Sequence, residues 1–123
     1  MTMYWCYHCY AVNPEPDGHC LRCGEQVDGP PDISYDDRLI WALGHPDGDR
    51  AVMAAQTLGV RRVRSALPAL RRAVDDDRDP YLAVAALRSA IAIAGRDELS
   101  DWLAELTRRE SFMVREAAHR ALG

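Results

Sequence analysis

Residues 79–95, DPYLAVAALRSAIAIAG, decide how this chain folds. Aspartate followed by proline marks a helix start: the carboxylate can accept from first-turn N–H groups, and proline's fixed φ suits the first helical position. Beyond the proline, only Arg88 and Ser89 are strongly polar before Gly95. Leu82, Val84, Leu87, Ile91 and Ile93 spread over more than one face at the helical period, so a single neighbour cannot cover them all. This helix must lie at the centre of a stack, with helices on both sides.

Its neighbours follow the same grammar. On the N-terminal side, 36–43 reads as a first helix ending at Gly44, and His45-Pro46-Asp47-Gly48 as a tight turn. A second covers about 49–58, closed by Gly59. A third starts with Ser65 as N-cap and carries Leu67, Leu70 and Val74 on one stripe, with Arg71 and Arg72 facing out. On the C-terminal side, Asp97 is the candidate cap of a fifth helix with the stripe Leu99, Trp102, Leu103, Leu106. Ser111 caps a sixth containing Met113, Val114, Ala117 and Leu122. Six helices make three antiparallel pairs.

The pairs repeat. Ala54-Ala55, Ala85-Ala86 and Ala117-Ala118 fall in the second helix of each pair, at offsets of 31 and 32 residues. Small residues at that period, placed where helices must approach closely, resemble the short HEAT-like repeats of the PBS-lyase type over 36–123. The Val-Arg pair that precedes those alanines in such repeats stands in register only as Val114-Arg115; the other copies have Ala51-Val52 and Leu82-Ala83. The resemblance implies an all-α, short helical-repeat solenoid, and an irregular helical bundle is the alternative topology.

Ahead of the helices the texture changes. All four cysteines lie in the first 23 residues, and the segment after them contains Gly29, Pro30 and Pro31, which cannot continue a helix. The chain therefore divides into a four-cysteine finger at 1–26, a Pro/Gly linker at 27–35 and the repeats at 36–123. Pro30-Pro31 favours polyproline II, making the linker a short, semi-rigid spacer.

The spacing Cys6-x2-Cys9-x10-Cys20-x2-Cys23 gives two C-x-x-C knuckles whose thiolates can close a tetrahedron round one structural Zn2+. In each knuckle the backbone N–H groups between the cysteines can donate to sulfur, and Gly24 permits the left-handed turn that tightens the second. Two disulfides, or iron in a rubredoxin-like site, are the other occupancies four cysteines allow. His8 and His19 sit beside ligands but read as exposed knuckle residues. A finger this small cannot bury enough surface to fold unaided, so metal binding is expected to supply its folding energy.

Trp5, Cys6, Cys9, Asn13, Cys20 and Cys23 together resemble the zinc fingers of the Ran-binding-protein type. In that family the asparagine organises the loop between knuckles through side-chain-to-backbone hydrogen bonds, which implies that role for Asn13; Tyr4 stands where the family has tryptophan. CYHC and GHCLRC are similar to the ubiquitin-binding NZF branch, but its Thr-Phe pair is Tyr10-Ala11 here, and its apolar residue before the last cysteine is Arg22. The Trp and paired Arg of the RNA-binding branch are Pro14, Pro16 and Asp17. The resemblance implies the finger fold and neither branch's ligand. Tyr4, Trp5, Tyr7 and Tyr10 can serve either as a recognition patch or as cover for the metal knuckles.

Composition narrows the function. With 48% hydrophobic and 28% charged residues the chain is an ordinary globular protein. No apolar run is long enough for a membrane span, and MTMYWCYHCY lacks the basic-then-apolar order of a signal peptide, which predicts a cytoplasmic protein. All fifteen cations are arginine, a GC-rich, bacterial-like bias that removes lysine chemistry such as Schiff bases and the P-loop. Residues 1–35 carry one arginine against five acids, while the remainder is neutral, a balance that offers little field to a polyanion. A closed set of four cysteines leaves no coordination position for an activated water. His45 and His119 have no nucleophile partner, and no nucleophile elbow, zincin motif or phosphate loop is present; the chain is not expected to be an enzyme.

What remains is binding. Arg61, Arg62 and Arg64, near Arg71 and Arg72, form the best candidate contact for an anion or nucleic acid. Asp75, Asp76, Asp77 and Asp79 form an acidic turn that could meet calcium or a basic partner but reads as solvent-facing. Trp41 and Trp102 read as core rather than as the lining of a pocket. The leading expectation is a non-catalytic adaptor gripping a partner protein through the helical face, through Tyr7 and Tyr10 of the finger, or both. Nucleic-acid binding through the arginine cluster is the second, and one end of a three-repeat stack could pair with a second copy.

Overall fold

The computed structural model describes residues 3–16, 18–29, 32–76 and 78–123. Pro30-Pro31, Asp17 and Asp77, which carried readings of the linker, finger and acidic turn, lie outside them. A two-stranded antiparallel ribbon, β1 (Tyr4–Trp5) with β2 (Val12–Asn13), opens the finger. Among the described residues six α-helices follow: α1 (Tyr35–Ala42), α2 (Gly48–Arg61), α3 (Leu67–Asp75), α4 (Pro80–Ala94), α5 (Ser100–Leu106) and α6 (Phe112–Leu122).

The centre of the stack is α4, which packs against α2, α3 and α6, the cover on several sides that its composition demanded. Eight of its residues are buried, Ala83, Ala86, Leu87 and Ala90 completely. Within each pair α1 lies on α2 and α5 on α6, while the second helices α2, α4 and α6 form a continuous layer. The paired alanines sit in that layer: Ala54, Ala55, Ala85, Ala86 and Ala118 are buried, where any larger side chain would push the helices apart.

Four helix starts are capped by side-chain oxygens. Ser34 accepts from Asp37 N at 3.0 Å, Asp47 from Asp49 N at 3.1 Å, Asp79 from Tyr81 N at 2.9 Å and Ser111 from Val114 N at 3.5 Å. Two expected caps are not used. Ser65 lies within a 3₁₀ turn (Arg64–Ala66), and α3 begins beyond it with Pro68 in its first turn. Asp97 stands too far upstream, and α5 starts at Ser100 with no side-chain cap.

Gly59 does not close α2. The helix runs on to Arg61 and ends at Arg62, which adopts φ 54° and ψ 50°, with Val63 N bonded back to Leu58 O at 3.1 Å in a Schellman-type cap. Gly59 is instead a packing residue. A Cβ there would come within 2.9 Å of Ser89 Cα on α4, so glycine sets how closely the two helices cross. At that crossing Ser89 Oγ donates to Ala55 O at 2.5 Å, which satisfies the hydroxyl inside an apolar interface.

Candidate metal centre and the surfaces around it

The two C-x-x-C segments fold into near-copies of each other. Tyr10 N donates to Cys6 O and Gly24 N to Cys20 O, each at 2.9 Å. His8 N reaches Cys6 Sγ at 3.4 Å and Arg22 N reaches Cys20 Sγ at 3.3 Å. Each knuckle thus aims an amide at its own first sulfur, and the loop between them is held by Asn13. Its amide donates to Ala11 O at 3.1 Å and to Cys20 Sγ at 3.4 Å, and its oxygen accepts from Leu21 N at 2.9 Å. Asn13 is buried, so these bonds satisfy a side chain that would otherwise be costly to desolvate.

The four sulfurs converge. Cys6 Sγ lies 3.7 Å from Cys23 Sγ, Cys9 Sγ lies 3.6 Å from Cys20 Sγ, and all four fall within 4.8 Å of one another. A tetrahedral ion with metal–sulfur bonds of about 2.3 Å requires sulfur–sulfur edges of about 3.8 Å, so the donor set fits one. All four cysteines are free, which removes the disulfide alternative from this arrangement. Ionisation is uneven. The Cys23 backbone amide, with Asn13 and Arg22, draws the Cys20 thiol down to about 6, whereas Cys23 is pushed up to about 12, burial and the other sulfurs overriding an opposing bond from the Glu25 backbone. Clustered thiols cannot all ionise unless a cation sits among them. His8 and His19 are exposed and lie outside the four-sulfur set.

The finger is seated on the helices, and Tyr7 and Tyr10 carry that contact. Both rings stack on Trp41 of α1, with centroids at 5.4 and 4.7 Å. Trp41 Nε1–H donates to Tyr7 O, and the Tyr10 hydroxyl donates to Trp41 O. Gly44 makes room, since a Cβ there would lie 2.6 Å from the Tyr10 hydroxyl oxygen. The faces of these two tyrosines are therefore spent on the protein's own helix. Trp41, read from the sequence as core, is only half-buried and serves as the receptor.

Tyr10 has φ 65°, the left-handed region that Gly24 fills at the matching position of the second knuckle. A residue with a Cβ costs about 1 kcal/mol there, and the stacking offsets it. Tyr10→Gly is expected to leave the cobalt-substituted thiolate spectrum intact while shifting Trp41 fluorescence towards that of an exposed indole. A perturbed metal spectrum would show that Tyr10 acts on the knuckle instead.

His45 is almost fully buried where finger and helices meet. Its ring lies edge-on to Trp5 at 4.6 Å, and Nδ1 accepts from Asp47 N at 2.9 Å. Arg78 braces the same loop by donating to the carbonyls of Gly44 and His45, both at 3.2 Å. Burial, then the Arg50 charge, lower the His45 pKa below the ordinary 6.5, and Asp47 only partly opposes them. The folded state thus disfavours a proton that the unfolded chain accepts, so stability falls as pH drops below 6.5. Between about pH 7.5 and about pH 5.5, His45→Gln is expected to lose less stability than the parent protein in urea titrations. Equal losses would mean that His45 titrates normally.

The arginine cluster does not stand free. Arg61 pairs with Asp36 at 2.8 Å, and Arg64 reaches both Glu98 oxygens at 2.7 Å. Arg62 has no carboxylate within 4.0 Å among the described residues. In the acidic turn, Asp75 bonds Arg109 at 2.9 Å and accepts from Trp102 Nε1 at 3.4 Å, while Asp79 caps α4, so both serve the helices. Trp102 is buried, in agreement with its apolar stripe.

One feature was not legible beforehand. Across the α2–α4–α6 layer runs a groove of about 610 Å³, with buried Gly59, Ala85 and Ser89 at its base and exposed Val60 and Tyr81 on its lip. Among the described residues its charges are Arg62 and Arg88, and no carboxylate lines it. The available sign was Val60 and Tyr81 themselves, apolar residues off the buried stripes of their helices. Among the described residues no helix is long and apolar enough to cross a membrane.

Compared with known proteins, residues 37–123 match the model of a family described as HEAT repeats. Neither the curated proteins nor the solved structures yield a match.

Proposed function

Since this chain belongs to the HEAT-repeat family over residues 37–123, we propose that it is a non-catalytic, cytoplasmic adaptor that grips a partner protein, with a finger built round one structural zinc ion. The observation that carries the reading is the groove across α2, α4 and α6, an exposed and largely apolar surface formed by the same helix of successive repeats. Solenoids of this kind present such surfaces to other proteins.

Cys6, Cys9, Cys20 and Cys23 hold the metal, and four soft thiolates in a tetrahedral arrangement suit zinc. Bound there, the ion supplies folding energy and no reactive chemistry, because a closed sulfur set leaves no position for water. Elemental analysis of the purified protein separates zinc from iron. The Asn13 bonds and the paired knuckles support the Ran-binding-protein type of finger. Ubiquitin binding gains no support: the branch's Thr-Phe position is Tyr10-Ala11, and the Tyr10 ring is stacked on Trp41.

The nucleic-acid reading is weakened by the ion pairs of Arg61 and Arg64, which leave Arg62 as the one member of that trio without a carboxylate among the described residues. Capture of the tagged protein from its native cell, with and without nuclease, tests the choice. An adaptor retains a partner protein at comparable yield after nuclease treatment. Retention of DNA or RNA that falls steeply with salt and disappears on neutralising Arg61, Arg62 and Arg64 would transfer the function to the arginine cluster.

A further inference from the structure

We infer that the groove across α2, α4 and α6 receives an acidic segment of a partner protein, its apolar side chains seated against Val60, Tyr81 and Met113 and its carboxylates meeting Arg62 and Arg88. The inference deepens the adaptor reading and rests on it. Three observations carry it: the charge inside the groove, the backbone of Arg62 and the apolar lip.

The chain has a net charge of −4, yet the groove is cationic, lined by Arg62 and Arg88 and, among the described residues, by no carboxylate. Among the described residues neither Arg62 nor Arg88 has an acidic partner within 4.0 Å, whereas Arg61 and Arg64, on either side of Arg62 in sequence, are paired. A ligand bringing carboxylates therefore meets cations that no internal pair has to release. Such complementarity sets partner choice and orientation, and guanidinium groups bind carboxylates in a fixed, forked geometry.

Arg62 also occupies the left-handed position that ends α2, where glycine would be unstrained. The fold tolerates a side chain at that place, and Arg62 is one of the residues lining the groove. Beside the arginines the surface is apolar: Val60 is 83% and Tyr81 68% exposed, and they line one groove with Val52, Val84 and Met113, a contiguous patch of the kind that marks a binding site. A polyanion would gain from the two arginines alone and waste that lip, whereas a peptide with both acids and apolar anchors uses both.

The test selects short random peptides by phage display on the full-length, metal-loaded protein. The expected pool is acidic and carries Leu, Ile, Phe or Trp anchors. Affinity of a selected peptide should fall about tenfold or more in Arg62→Glu/Arg88→Glu and in Tyr81→Ser. Arg62→Gly should weaken binding while leaving the thermal midpoint unchanged or raised, since it relieves the backbone; a merely structural Arg62 would not separate the two readouts. Neutral or basic selected peptides, or affinities indifferent to these substitutions, overturn the groove assignment while leaving an adaptor that binds elsewhere. An empty selection, with self-association in sedimentation that Arg62→Glu/Arg88→Glu abolishes, overturns it in favour of a second copy. An empty selection without self-association also overturns it, and with nuclease-sensitive retention of DNA or RNA the adaptor reading fails as well.

Discussion

Stripping the metal with a strong chelator is expected to collapse the NMR dispersion of the finger while the helical circular dichroism persists. The finger's own buried cluster amounts to Cys6, Cys20 and Val27, with Tyr4, Cys9 and Ala11 packed against it, far too little to order this segment unaided. Metal binding to finger peptides of this size contributes an apparent ~10–16 kcal/mol, and that is their folding energy. Cys20→Ser should act like the chelator, because Cys20 accepts from Arg22 N and Asn13 Nδ2 as well as serving as a ligand. The helices should remain folded, but not unaffected. Losing the stacks of Tyr7 and Tyr10 on Trp41 removes aromatic pairs worth about 0.5–1.5 kcal/mol each, so their unfolding midpoint in urea should fall. A finger whose amide dispersion survives metal removal would refute the account.

The fold was legible wherever one segment's composition forced its surroundings. Seventeen residues around Leu87 sufficed to require helices on both sides, because so apolar a helix has only a narrow face, here Tyr81, Arg88 and Ala92, to leave in water. The four cysteines were legible because a tetrahedral site needs a fixed spacing, and the sulfurs do converge. Illegible features depend on how separate elements meet. Gly59 is ambiguous in one dimension: glycine ends helices and also lets helices touch, and only the Ser89 backbone opposite it decides for the second. Ser65 and Asp97 have capping chemistry, but tertiary packing starts α3 and α5 elsewhere. Tyr10 has the chemistry of a recognition residue, and only the seating of the finger on α1 reveals that its ring is already occupied. The groove belongs to three helices at once, so no periodicity within one of them could have announced it.

Leu87→Ala tests the central role of α4 directly, and its expected cost is about 3 kcal/mol, within the ~2–5 kcal/mol typical of a buried leucine truncated to alanine. Leu87 is fully inaccessible, on a helix that contacts α2, α3 and α6, so the cavity has rigid walls on several sides and little scope to collapse. Domains of this size are stable by only about 5–15 kcal/mol, so such a loss would be plain in urea titrations as a lower midpoint at an unchanged slope. The same truncation at Leu122, 38% exposed in the last turn of α6, should cost well under 1 kcal/mol. In a repeat array each unit is stabilised by its interfaces with its neighbours, and α4 packs on α2, α3 and α6, whereas α6 packs on α4 and α5. The contrast between the two variants, rather than either value alone, tests whether the core lies round α4, as the full burial of Leu87 requires. Comparable losses at Leu87 and Leu122 would refute that placement of the core.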